Sequence, residues 1–177
     1  MQSLVSAKGI IIGISIPVIA GVILLFGNIM ANERAEVTYQ LQGENALNPS
    51  RNLPLEVFLY EGNSGNFEAG TIATVTVTNA TIMQVSVSGI GQPDLYNYCQ
   101  YNSTLAKISN LTAAKGSSLT KWATIYVTPD QGVKTFQIST SLTLASDWMH
   151  PRNSVMATLP TTLVYNRTST DLYELLD

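Results

Sequence analysis

The sequence predicts a mainly β protein: an antiparallel immunoglobulin-like β-sandwich preceded by a single N-terminal transmembrane helix. Two observations carry the prediction. Residues 9–31, GIIIGISIPVIAGVILLFGNIMA, contain no charged residue, and about 20 apolar residues suffice for a helix to cross a hydrocarbon core of about 30 Å. Beyond Asn32 the chain breaks into short stretches of alternating apolar and polar residues separated by turn formers. That alternation is the mark of strands with one face packed and the other wet. Composition agrees: charged residues make up only 12% of the chain, and Thr, Ser, Asn and Gln supply most of the polarity, as in exported β proteins more than in cytosolic enzymes.

Lys8 and the N-terminal amine precede the apolar run, and Asn32-Glu33-Arg34-Ala35-Glu36 follows it. The excess of positive charge before the helix puts residues 1–8 in the cytoplasm and the bulk of the chain outside the plasma membrane, in an extracellular or pseudoperiplasmic position. A cleaved secretory signal ending at Ile29-Met30-Ala31 is the competing reading, but a signal core spans only about 7–15 apolar residues and this run is longer. Gly9, Gly13, Pro17 and Gly21 recur every fourth position and so share one helix face. Such a face of little side-chain bulk lets a second helix dock closely in lipid, although Gly and Pro are also common in membrane helices generally. Pro17 removes one backbone hydrogen bond and is expected to kink the helix.

Residues 32–52 read as a polar stalk, in which 36–41 alternates as a first strand or continues the helix, and 45–54, with Asn48-Pro49, reads as a loop. The sandwich is expected over 53–166. Residues 55–60 form a strand ended by the loop Gly62-Asn63-Ser64-Gly65-Asn66. Residues 71–78 follow, then 83–88 with Met83, Val85 and Val87 inward. Residues 122–128 end in the turn Pro129-Asp130-Gln131-Gly132, and 133–144 is their expected hairpin partner with Phe136, Ile138, Leu142 and Leu144 inward. Residues 155–159 and 163–165 complete seven or eight strands. The last stretch, 167–177, holds Asp171, Glu174 and Asp177 and reads as an acidic tail.

Residues 91–116 are expected to be long and irregular, with 105–111 as a strand within them. They carry Tyr96, Tyr98 and Tyr101 around Cys99. Three close tyrosines suit a partner-contact surface, each offering rigid apolar area with a polar tip; the other reading is that two of them cap the core. Cys99 is the chain's one cysteine, so no intrachain disulfide forms and a buried, inert thiol is expected.

Chemistry-bearing motifs are sparse, and no catalytic residue, metal site or cofactor is predicted. The one histidine, His150, sits in Ser146-Asp147-Trp148-Met149-His150 without a nucleophile-elbow pattern. One His and one Cys are too few for a zinc or copper site, and neither a calcium loop nor a phosphate-binding glycine loop is present. A net charge of −3 offers nothing for nucleic acid. Four Asn-x-Ser/Thr sequons stand at Asn79, Asn102, Asn110 and Asn166, and the outward topology makes them candidate glycan sites.

Lys8-Gly9-Ile10-Ile11 followed by an apolar helix resembles the class III leader of archaeal type IV pilins and archaellins, which implies cleavage after Gly9 and a mature helix beginning at Ile10. One N-terminal helix with an outward, N-glycosylated β-sandwich is also similar in plan to the archaellum stator subunits that hold the motor to the surface layer. Pro17 and the small-residue face depart from the pilin pattern. The expectation is therefore a non-enzymatic, single-pass membrane-anchored subunit of a larger surface assembly, in contact with lipid and with other membrane or surface-layer proteins. The alternative is a filament subunit that polymerises with itself through its N-terminal helix.

Overall fold

The computed structural model describes residues 32–48, 53–91, 94–145, 152–158, 160–170 and 172–176. The apolar stretch 9–31, with its expected docking face, lies outside the described residues, as does His150. Among the described residues no helix is long and apolar enough to cross a membrane.

Two sheets pack face to face. The strands are β1 (Glu36–Gly43), β2 (Ala46–Leu47), β3 (Leu55–Asn63), β4 (Ala69–Thr78), β5 (Ala80–Val87), β6 (Cys99–Tyr101), β7 (Leu105–Ala113), β8 (Ser117–Pro129), β9 (Thr135–Leu144), β10 (Ser154–Ala157), β11 (Thr162–Ser169) and β12 (Leu172–Leu175), and a short helix, α1 (Leu95–Tyr98), precedes β6. One sheet runs β10-β1-β3-β8-β5 and the other β2-β12-β11-β9-β4-β7-β6. The mainly β, two-sheet sandwich is thus as the alternation predicts. It is not wholly antiparallel, because β10 lies parallel to β1, with Glu36 opposite Ser154 and Tyr39 opposite Ala157.

Period-two burial explains the core. Val37 and Leu41 of β1, Leu55, Val57 and Leu59 of β3, and Ile125 and Val127 of β8 face Ala73 and Val75 of β4, Ile108 of β7 and Ile138 of β9, all buried in one cluster. At one side of that cluster Phe136 stacks on Tyr165 with ring centroids 4.8 Å apart and meets Tyr173 edge-on at 5.2 Å. Each phenol satisfies its hydroxyl on a backbone carbonyl, Tyr165 on Glu44 and Tyr173 on Val133, as buried tyrosines must. Gly43 admits the Tyr165 ring: a Cβ there would fall 2.1 Å from the phenol oxygen.

Several expectations are corrected by long-range pairing. The stretch 36–41 is strand, not helix, and residues 32–48 are not a free stalk: β1 is flanked on both sides by β10 and β3, and Ala35 is already fully buried. The loop expected at 62–66 begins two residues later, since β3 continues through a buried Asn63. Met83 is 57% exposed; a bulge between Ile82 and Gln84 leaves it without a register partner and turns it out, so that Ile82 takes the inward place beside Val85 and Val87. The turn at 129–132 does not close a hairpin. It carries the chain from β8, between β3 and β5, to β9 in the other sheet, between β4 and β11. The described part of the expected acidic tail is not free either: β12 pairs with β11 and β2 and buries Tyr173.

The end of the sandwich at which the chain arrives at Asn32 is called proximal below, and the other end distal. Proximally, the fully buried Asn63 uses its whole hydrogen-bonding capacity. Its Oδ1 accepts from Glu36 N at 3.0 Å and Gly65 N at 2.9 Å, and its Nδ2 donates to Phe67 O at 2.8 Å and Ala113 O at 3.0 Å. Two residues before it, Glu61 is buried with Thr71 Oγ1 bonded to its carboxylate, and burial pushes its pKa to about 7 against that bond.

Two outcomes follow. Asn63→Ala strands two amides and two carbonyls, so thermal unfolding of the full chain is expected to show a loss on the order of 3–5 kcal/mol. For Glu61, the folded carboxyl keeps its proton up to about pH 7 while the unfolded one releases it near 4.5. The folded state therefore holds the extra proton, and this group's stabilisation is full below about pH 4.5 and lost as pH rises through 7. Glu61→Gln should flatten that slope and raise the melting temperature at pH 8, while unchanged pH dependence would show that the carboxyl ionises freely.

Candidate functional site

The segment 94–101 was expected to present a contact surface, and its local geometry follows from a short helix feeding an edge strand. A turn bonds Asp94 N to Gly91 O at 3.0 Å and Asn97 N to Asp94 O at 3.0 Å, after which α1 gives way to β6 at Cys99, where the backbone becomes extended. Leu95 and Cys99, four residues apart, are 7% and 6% exposed and join the core cluster. Tyr96 is consequently thrown outward at 70% exposure, Tyr98 is half-buried, and Tyr101 on β6 is 45% exposed. The core on this side is capped by Leu95 and Cys99, not by the tyrosines.

The thiol is chemically quiet. Burial pushes the Cys99 pKa up to about 11, so the thiolate that would act as nucleophile or metal ligand is scarce at neutral pH. Burial likewise raises the Tyr165 phenol, with the charge of Glu44 adding to the effect. Among the described residues no three His, Cys, Asp or Glu side chains gather closely enough to hold a metal ion.

An exposed apolar edge surrounds the tyrosines. β6 borders the seven-stranded sheet and β5 the five-stranded one. At their distal ends the two edges meet, where Ile82 N donates to Ser103 O at 2.7 Å and Val77 N to Thr104 O at 2.9 Å. Met83, Tyr101 and Leu105 are all exposed along this side. The opposite border, β10, is exposed along its whole length, Val155 and Met156 included.

The sequon asparagines separate by location. Asn79 lies in the β4–β5 turn with φ 59°, Asn102 in the β6–β7 turn, and Asn166 on β11 opposite Thr135. These three are distal. Asn79 Nδ2 donates to Thr135 O at 3.0 Å, and the Thr135 hydroxyl donates to Asn166 Oδ1, so two of the sequons share one threonine. Asn110 lies within β7, where the register with β4 shifts. The docking residues Gly9, Gly13, Pro17 and Gly21 lie outside the described chain.

The sequence reading missed the proximal junction. Asn66 Oδ1 accepts from Arg34 N at 2.8 Å, Asn66 Nδ2 donates to Asn32 O at 3.1 Å, and Phe67 N donates to Arg34 O at 3.2 Å. Arg34 also pairs with Glu36 at 2.8 Å. A shallow cleft lined by Asn32, Arg34, Glu36, Ser64, Gly65, Asn66 and Arg152 marks the place. The available signal was the run Asn63-Ser64-Gly65-Asn66, which reads as an ordinary turn because its partners at this junction lie 27 to 34 residues away in the chain.

No family model matches the chain, and no curated protein does. Among solved structures it is similar to the seventh ScaB type I cohesin of Pseudobacteroides cellulosolvens, at 11% identity over 70% of this chain and 94% of that one, with a TM-score of 0.43. It is similar to the collagen-binding domain of the surface protein RspB of Erysipelothrix rhusiopathiae, at 12% identity over 76% of this chain and 47% of that one, with a TM-score of 0.44. A Nocardia farcinica protein with an immunoglobulin-like fold is similar at 12% identity over 68% of this chain and 99% of that one, with a TM-score of 0.33.

The division of labour within 94–101 predicts opposite outcomes for neighbouring residues. Leu95→Ala should cost about 2–4 kcal/mol by opening a cavity under α1, and Tyr96→Ala should stay within about 0.5 kcal/mol, both read from denaturant unfolding. A large loss at Tyr96 would make it a structural residue and remove it from the contact surface.

Proposed function

We propose that the chain is a non-enzymatic, single-pass membrane-anchored subunit of a larger cell-surface or membrane assembly. Residues 9–31 hold it in the bilayer, and an N-glycosylated sandwich faces outward for protein contact. One observation carries the reading: Asn32, whose carbonyl accepts from Asn66, lies at the proximal end, and the sequon asparagines Asn79, Asn102 and Asn166 all lie distally. A domain held at residue 31 with that polarity keeps these three sequons away from the bilayer.

The junction supports the same reading. Ala35 is in the core and Arg34 is bonded to Asn66, so few residues separate the apolar stretch from a rigid body. A helix docked by its Gly9, Gly13, Pro17 and Gly21 face would then fix the orientation of the sandwich as well as its position. The exposed side carrying Tyr96 and Tyr101 is the protein-contact surface in this reading.

The test is gentle extraction from the native membrane, with intact mass, N-terminal sequencing and identification of stoichiometric partners. The expected result is an N-terminus at Met1 with partners that are lost when Gly13→Leu and Gly21→Leu are introduced together. An N-terminus at Ile10 with only copies of the same chain would replace this reading with the filament subunit, and retention of partners by the double variant would remove the docking face.

A further inference from the structure

We propose that Asn102 is the residue of the folded sandwich that receives an N-linked glycan, and that the sequons at Asn79, Asn110 and Asn166 stay unmodified. This rests on the outward-facing reading above and deepens it, because four sequence-equivalent sequons are not structurally equivalent.

A transferase must take Asn, the next residue and the following Ser or Thr into its own site together, so a sequon is available in a folded domain when those three residues lie outside the hydrogen-bonded ladders. Asn102-Ser103-Thr104 meets that condition. β6 ends at Tyr101 and β7 begins at Leu105, and all three intervening side chains are exposed. Asn102 Oδ1 accepts from Thr104 N at 2.9 Å, Leu105 N at 2.9 Å and Thr104 Oγ1 at 3.3 Å. The acceptor carboxamide and the recognised hydroxyl are thus already side by side. The turn is held by Asn102 N donating to Leu105 O and by the Ser103 and Thr104 carbonyls accepting from β5 and β4, and Asn102 Nδ2 takes part in none of these bonds.

The other three fail for separate reasons. Asn79 has committed its Nδ2 to Thr135 O, the next residue Ala80 is 2% exposed, and Thr81 is bonded to Asp130 at 3.0 Å. Loading that sequon would peel the start of β5 from Pro129 and Thr128 of β8. Asn166 is paired on both sides, with Thr135 of β9 and Glu174 of β12, and its carboxamide oxygen accepts from Thr135. The Asn110 sequon runs on into Leu111 and Thr112, which pair with Thr71 and Gly70.

The donor chemistry is an oligosaccharide carried on a polyprenyl phosphate or pyrophosphate. Asn102 Nδ2 bonds to the anomeric carbon, the bond from that carbon to the phosphate oxygen breaks, and the electron pair leaves with the lipid-linked phosphate. One amide proton passes to the transferase's base, and no atom changes oxidation state. The resulting sugar stands at the β6–β7 turn and covers the distal meeting point of the β5 and β6 edges, a device that keeps open strand edges from pairing with other strands.

Glycopeptide mapping by mass spectrometry on the full-length chain, produced in its own cell and extracted from the membrane, tests the assignment. Wild type and Thr104→Ser should carry sugar on the peptide containing Asn102. Asn102→Gln and Thr104→Val should lose it, the second variant guarding against a turn disturbed by loss of the Asn102 side chain. Peptides containing Asn79, Asn110 and Asn166 should show unmodified mass. Sugar on any of these with Asn102 bare overturns the inference and leaves the outward-facing reading standing, whereas an absence of sugar at all four sequons overturns both.

Discussion

The side-chain amide of Asn63 is the contact on which the proximal end of the sandwich depends. A buried amide has two acceptor sites and two donors, and each one left unmade costs its full desolvation. Here all four are made, to the start of β1, the β3–β4 loop and the end of β7. Because β7 belongs to one sheet and β1 and β3 to the other, one side chain joins both layers and also fixes where the chain arrives. Its backbone extends the same node to β8, with Asn63 N donating to Ser117 Oγ at 3.0 Å. Gly65 is part of the same constraint, since a Cβ there would lie 2.2 Å from Arg34 O. No larger residue lets the arriving strand pass so close to the loop.

What was legible in the sequence is what depends on neighbours in the chain. Alternation along 71–78 reports which face is buried, because successive side chains must point to opposite sides, and Ala73, Val75 and Val77 are buried. The inward assignment of Phe136, Ile138 and Leu142 also holds, with all three buried. What was not legible depends on partners far away. A turn such as Pro129–Gly132 looks the same whether the next strand returns beside the last or crosses to the other sheet. The difference lies in bonds such as Asp130 N to Asn79 O at 3.0 Å, which no local pattern records. Met83 is a related case: its apolar character fits the alternation, but one extra residue in β5 opposite Tyr126 reverses its direction.

The candidate site was legible to a different degree. The tyrosine cluster announced itself by composition, and the structure brings Tyr96, Tyr98 and Tyr101 to one side of the fold. Which residues of the segment plug the core was hidden, because a four-residue helix carries too little periodicity to show a face. Leu95 and Cys99 meet the core only because α1 places them one turn apart and β6 then continues at the sheet edge. The sequons were fully legible as motifs and hardly at all as sites. Spacing defines the motif, but pairing on both sides of Asn166 and the bond from Asn79 to Thr135 decide accessibility.

The proximal and distal ends therefore differ in kind. Proximally, the chain is gathered by buried amide hydrogen bonds whose geometry tolerates little change, and Ala35, Asn63 and Thr71 are almost fully excluded from water. Distally, the turns at 79, 102 and 130 are held to one another through backbone carbonyls, Asn79 O to Asp130 N, Ser103 O to Ile82 N and Thr104 O to Val77 N. Backbone bonds of that sort fix the path of a turn while leaving its side chains free to vary or to be modified. Under the proposed anchoring both properties would serve in that order. Rigidity at the junction would transmit the orientation of an anchor, since a flexible stalk would let the sandwich tumble and waste any docking geometry in the bilayer. Variability at the far end is where a sugar or a partner can be accommodated without disturbing the two-sheet core.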